Sequence, residues 1–122
     1  MNLDPNKDLE INVKDLTSEF KKLPLLLYRY YEQKADAERD YDRNRAALKE
    51  IKARVSKELR SSGAKHTEKS MEAEVDSNED VLAVSNLTLE SARTLATWIG
   101  GVESLKAKKD MLIQLGADAR KE

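Results

Sequence analysis

The sequence predicts an all-α chain, a long helical hairpin made of two long helices plus short N-terminal and connecting helices, that assembles through helix packing into a homo-oligomer. Three observations lead there. Ala, Leu, Lys, Glu and Arg dominate, while the 122 residues include only four glycines and two prolines, a balance that favours helix. Apolar residues recur at spacings of three, four and seven. The resulting stripes are narrow, and burial at about 25 cal/mol per Å² does little more than offset an ordering cost of about 1–2 kcal/mol per residue. A lone hairpin is therefore marginal, and self-association is the expected remedy.

The chain reads as one domain over residues 1–122, with 1–11 as a flexible N-terminus, 61–67 as a turn and 117–122 as a flexible C-terminus. The opening "MNLDPNKDLE" has acids and a proline where an export signal needs positive charge before an apolar core, so no export signal is expected. The first helix is expected after Asn12, whose side chain suits an N-cap, with Asp15 near the positive end of the helix dipole. Leu16, Phe20 and Leu23 follow at helical spacing. Pro24 removes a backbone donor and clashes with the preceding turn, which predicts a kink or a break.

From Leu25 to about Leu59 the pattern is helical throughout. Tyr41, Leu48 and Val55 repeat at seven with Ile51 between them, a stripe of the coiled-coil kind. "SSGAKH" then reads as a turn in which Gly63 can take a left-handed conformation. Thr67 can cap a short acidic helix through Val75, although Met71, Ala73 and Val75 alternate as a short strand would. "DSNED" caps the last helix, whose apolar positions are Val81, Val84, Ala92, Leu95, Ile99, Val102, Leu105 and Leu112, and Gly116 fits its end. Gly100 and Gly101 inside it cost about 1 kcal/mol each relative to alanine. Close approach of a neighbouring backbone beside Trp98 would explain them, and so would a simple kink.

Charged residues are 37% of the chain, aromatics 5%, and the net charge is −1, which excludes a uniformly basic nucleic-acid binder. The charge is nevertheless sorted by region. Arg39 to Arg60 contains eight Lys/Arg against four Asp/Glu, and His66 to Glu90 contains seven acids against one base; such sorting says more about partners than the total does. Without cysteine there are no disulfides and no thiolate metal sites, which fits a reducing cytoplasm. The longest apolar run, Leu25 to Tyr28, falls far short of the ~18 residues of a membrane span.

No catalytic constellation is present. His66, the single histidine, lies in a predicted turn without grouped partners. No glycine-rich phosphate loop occurs, and Glu72, Glu74, Asp76, Glu79 and Asp80 lack the spacing of a calcium loop. Neither enzymatic activity nor a metal or cofactor is expected. The basic set is more informative: Arg45, Lys49, Lys52, Arg54, Lys57 and Arg60 lie on the long helix, and Lys65 follows in the turn. At 100° per residue they form a broad surface on which Arg54 points partly elsewhere. A surface of this kind suits a flexible polynucleotide bound through its phosphates without sequence preference. It also suits a merely solvated helix face, as in a structural or adaptor coiled-coil protein.

Four segments resemble the UvsY recombination mediators of tailed phages. "DLEINVKDLTSEF" is similar to the family's entry into its first helix through Asp8, Ile11 and Leu16. "IKARVSKELRSSG" resembles its DNA-contacting segment through Lys52, Ala53 and Arg54, and "EDVLAV" the start of its last helix. "VESLKAKKDMLIQLGADAR" is close to a recurrent family ending and is the most specific of the four. The resemblance implies a non-enzymatic homo-oligomer, a heptameric ring in the family, acting in the cytoplasm of an infected bacterium. Such a protein binds single-stranded DNA, helps displace the single-strand-binding protein and loads a RecA-class recombinase. Carried over, Lys52 and Arg54 become phosphate contacts, with Lys106, Lys108 and Lys109 as a second group. Trp98, Val102, Leu105, Met111, Leu112, Ile113 and Leu115 become the residues that hold neighbouring subunits. The chain departs from the family where Ser56, Lys57 and Glu58 replace paired aromatics, at Pro24, and where Ala107 interrupts the final basic cluster.

Overall fold

A computed structural model describes residues 2–63 and 65–121. Its elements, in order, are α1 (Pro5–Asp8), α2 (Leu16–Ser61), α3 (Glu68–Ser77) and α4 (Glu79–Lys121). The fold is all-helical, and the two long helices, α2 and α4, pack together. Among the described residues no strand forms, so the alternating segment before Val75 is helix: Thr67 Oγ1 accepts from the Ser70 amide at 3.1 Å and opens α3.

The helix boundaries follow from their caps. Asp15, not Asn12, caps α2: its carboxylate accepts from the Ser18 amide at 3.2 Å, while Asn12 Oδ1 accepts from the Lys14 amide at 3.1 Å in the turn before. Both are good cap residues, and the one whose side chain reaches the third amide onward takes the role. Pro24 does not break α2, which runs through it. Pro24 is exposed, and the price of its missing donor is the pairing of the Phe20 carbonyl. Gly63 adopts φ 80°, the left-handed conformation that ends α2 cheaply.

Asn78 serves two helices. Its amide donates to the Val75 carbonyl at the end of α3, and its side-chain oxygen accepts from the Asp80 amide at 2.9 Å and the Val81 amide at 3.3 Å at the start of α4. Gly116 does not end α4, which continues to Lys121; a Cβ there would meet the Phe20 ring at 3.6 Å, an ordinary contact. The ends expected to be flexible are occupied by structure: α1 lies within residues 1–11, Leu3, Leu9 and Ile11 pack on a core, and α4 covers 117–121.

The chain divides into two compact units, 2–37 with 95–121 and 38–94, each with its own core. In the first, Leu23, Tyr30, Val102, Leu105 and Leu112 are buried together, and Trp98 packs at their margin. Tyr30 meets Trp98 edge to face, ring centroids 5.6 Å apart, a favoured aromatic arrangement. Its hydroxyl donates to the Asp8 carboxylate at 2.8 Å. Burial first, and then this bond and the nearby charges of Asp8 and Asp4, push the phenol above its ordinary range. The tight approach inside α4 is made by a side chain: a Cβ on Gly101 would stand 3.0 Å from the Tyr30 ring, whereas one on Gly100 would meet open space.

In the second unit Val55, Val75 and Val81 are buried, with Leu48, Ile51 and Leu59 against them. A polar layer joins α2 to α4. Asn44 Nδ2 donates to Ser91 Oγ and, at 3.5 Å, to the Leu87 carbonyl; Thr88 Oγ1, which donates to the Val84 carbonyl of its own helix at 2.8 Å, lies 3.3 Å from the Asn44 carbonyl.

Candidate nucleic-acid interface

The cationic residues singled out by the sequence have different surroundings. In the unit 38–94, the basic stretch of α2 lies beside the acidic segment that follows it. Lys52 Nζ is 3.7 Å from Asp76. Arg54 reaches Asp80 at 3.9 Å and Glu58 at 3.8 Å. These are loose pairs between half-exposed side chains, worth at most ~1 kcal/mol each. Lys52 and Arg54 lie about 200° apart around the helix, so their acidic neighbours approach α2 from two sides, Asp76 on α3 and Asp80 on α4.

Lys49, Lys57, Arg60 and Lys65 are exposed and make no ion pair among the described residues. The helical phase puts Lys49, Lys57 and Arg60 within about 80° of one another, spread over about 16 Å of helix axis. The most accessible row of cations is therefore this one, and not the Lys52–Arg54 pair. Arg45 lies 5.4 Å from the Tyr41 ring centroid, a cation–π contact that leaves the residue exposed.

The three lysines of α4 differ from one another. Lys109 is exposed. Lys106 is exposed too, 5.6 Å from the Tyr31 ring centroid and 3.4 Å from Glu103; the Tyr31 hydroxyl, and after it the Glu103 carboxylate, stabilise its charged form and raise its pKa. Lys108 is buried. Its ammonium sits 3.0 Å from Glu19, with the two side chains 7% and 11% exposed, and donates to the Asp8 carbonyl at 2.7 Å. An ammonium held this way joins α4 to the N-terminal segment and is not presented to a phosphate outside. Sequence inspection groups it with Lys106 and Lys109, but Lys108 stands three residues after Leu105 and four before Leu112, at the edge of the core stripe.

The apolar residues assigned to subunit contact also divide. Val102, Leu105 and Leu112 are 1%, 0% and 0% exposed and belong to the chain's own core, since an apolar stripe declares burial without declaring against what. Trp98 and Leu115 are half-buried. Met111 and Ile113, at 57% and 52% exposure, remain open on α4.

Other chemistry finds no support among the described residues. No group of acids, histidines or cysteines is arranged to hold a metal ion, and no helix is long and apolar enough to cross a membrane. His66 Nδ1 is 3.5 Å from Ser70 Oγ, and its Nε2 is buried without a hydrogen-bond partner. Comparison of the chain with protein-family models, curated proteins and solved structures gave no match.

Proposed function

We propose that this chain is a non-enzymatic, self-associating protein that binds single-stranded DNA, a recombination mediator that loads a RecA-class recombinase onto strands covered by single-strand-binding protein. The observation that carries the reading is the row Lys49, Lys57 and Arg60, exposed and without ion pairs among the described residues, with Lys65 following it. Phosphates need positive charge at roughly backbone spacing and little else, and a flexible strand can follow such a row. Self-association multiplies it: modest sites held in one assembly act at high effective concentration, so the assembly binds where a single chain would not. Met111 and Ile113 are among the exposed apolar residues, and neighbouring copies would meet on them. The role in recombination rests on the four resembling segments.

A structural or adaptor role is the second reading. It is favoured by the cations already answered inside the chain, Lys52 by Asp76, Arg54 by Asp80 and Lys108 by Glu19. Anisotropy of a labelled oligothymidylate, titrated from dilute to concentrated salt, separates the two. The mediator binds in dilute buffer and weakens along a straight log–log line, and Lys49→Gln/Lys57→Gln/Arg60→Gln reduces both affinity and slope. Absence of binding in dilute buffer would exclude the mediator and leave the adaptor.

A further inference from the structure

We infer that the acidic segment of this chain is a built-in competitor for the same cationic surface: Asp76 and Asp80 occupy Lys52 and Arg54 as phosphate surrogates, and DNA must exchange with them. The inference rests on the reading of that surface as a DNA interface and adds its regulation. Three features carry it. The chain sorts its charge into a basic stretch, Arg39 to Arg60, and an acidic one, His66 to Glu90, and folds the second against the first. The carboxylates meet the cations at 3.7 and 3.9 Å, with side chains 45% to 71% exposed. These pairs are neither short nor buried, so they are exchangeable with a solvent-borne anion. The contact between the helices is also buried by Val55, Val75 and Val81, beside which exposed pairs of this kind contribute little to stability.

The consequence is a threshold. A single phosphate gains little by displacing a tethered carboxylate, whereas a strand that already holds Lys49, Lys57 and Arg60 presents its next phosphates at high effective concentration. Lys52 and Arg54 are thereby reserved for long ligands, and short anions are rejected. Exchange also releases fewer ions from solution, since the cations enter the reaction neutralised by their own chain.

The test compares the full chain with Asp76→Asn/Asp80→Asn, and with Glu74→Gln/Glu90→Gln as a control. The control makes the same change in net charge at exposed acids that form no ion pair among the described residues. Binding of a labelled oligothymidylate is measured across a salt series, with helix content checked by circular dichroism. Releasing Asp76 and Asp80 is expected to tighten binding about threefold to tenfold at low salt and to steepen the log–log salt slope, because no displaced carboxylate is left to take up ions from solution. The control should move neither quantity as far. Equal gains in the two double variants would overturn the inference in favour of a general charge effect, as would no gain in the first. If none of the three proteins bound the oligonucleotide at low salt, the DNA reading itself would fall. Binding by all three with equal affinity would remove only the competitor.

Discussion

Lys108 offers the sharpest test of how the N-terminal segment is held. Lys108→Met keeps the length of the side chain and removes both the 3.0 Å ion pair with Glu19 and the 2.7 Å hydrogen bond to the Asp8 carbonyl. At an effective dielectric of 20 the gross attraction across 3.0 Å is about 5.5 kcal/mol, and most of it is offset by desolvation of the two groups. What the substitution leaves is a Glu19 carboxylate, 11% exposed, with the Asn12 amide at 3.4 Å as its one hydrogen-bond donor among the described residues. Stranding a buried charge costs about 3–5 kcal/mol. Urea unfolding should therefore show a stability lowered by that amount, read as a lower midpoint at unchanged slope. Lys108→Met/Glu19→Gln removes the stranded charge while keeping an acceptor for Asn12, and should recover at least ~2 kcal/mol as a coupling energy. A loss below ~1 kcal/mol in the single variant, or strictly additive losses in the double one, would refute the ion pair as a structural tie.

The adjacent glycines should respond in opposite directions to alanine. Gly100→Ala gains about 0.5–1 kcal/mol in helix propensity, whereas at Gly101 a Cβ 3.0 Å from the Tyr30 ring costs about 1–3 kcal/mol of overpacking, because that ring is pinned between Asp8 and Trp98; thermal melts of the two variants check the sign. Tyr30 also makes a prediction about pH. Its folded pKa is raised, chiefly by burial, so its contribution is fully present below the unfolded value of about 10 and is lost as pH rises above it. Denaturation midpoints should fall above about pH 10, and Tyr30→Phe should flatten that fall. Asn44→Ala should cost about 1 kcal/mol through its contacts with Ser91 and Leu87, measured by urea unfolding, and Asn44→Leu should cost less.

Much of the fold was legible because helices advertise themselves by period and punctuation. Thr67, Gly63 and the apolar series of the last helix, apart from Ile99, which is 40% exposed, were readable as they stand, since each depends on local backbone geometry. The position of the first cap was not, because Asn12 and Asp15 are both competent and the choice between them depends on where Glu19 and the N-terminal segment come to rest. Tyr30, fully buried, was hidden by its exposed neighbours Tyr28 and Tyr31. A seven-residue series, Leu16, Leu23, Tyr30, Ala37, Asn44 and Ile51, marks it in retrospect and also explains Asn44 as a polar member of a core stripe. The candidate site was legible in charge and not in pairing. Sequence shows where cations are, but whether a lysine faces solvent, as Lys109 does, or an inner glutamate, as Lys108 does, is decided by contacts some ninety residues away along the chain.

Asn78 has a consequence for angular phase. With Lys52 and Arg54 standing about 200° apart around α2, no straight rod laid alongside can offer a carboxylate to each. Interrupting regular winding at Asn78, where φ is −62° and ψ 132°, assigns Asp76 to one rod and Asp80 to the next, so that α2 is straddled. Lengthening the joint by one residue would turn Asp80 by about 100° and uncouple it from Arg54 while both helices stayed intact. The joint is thus a gear setting, and what it meshes is charge.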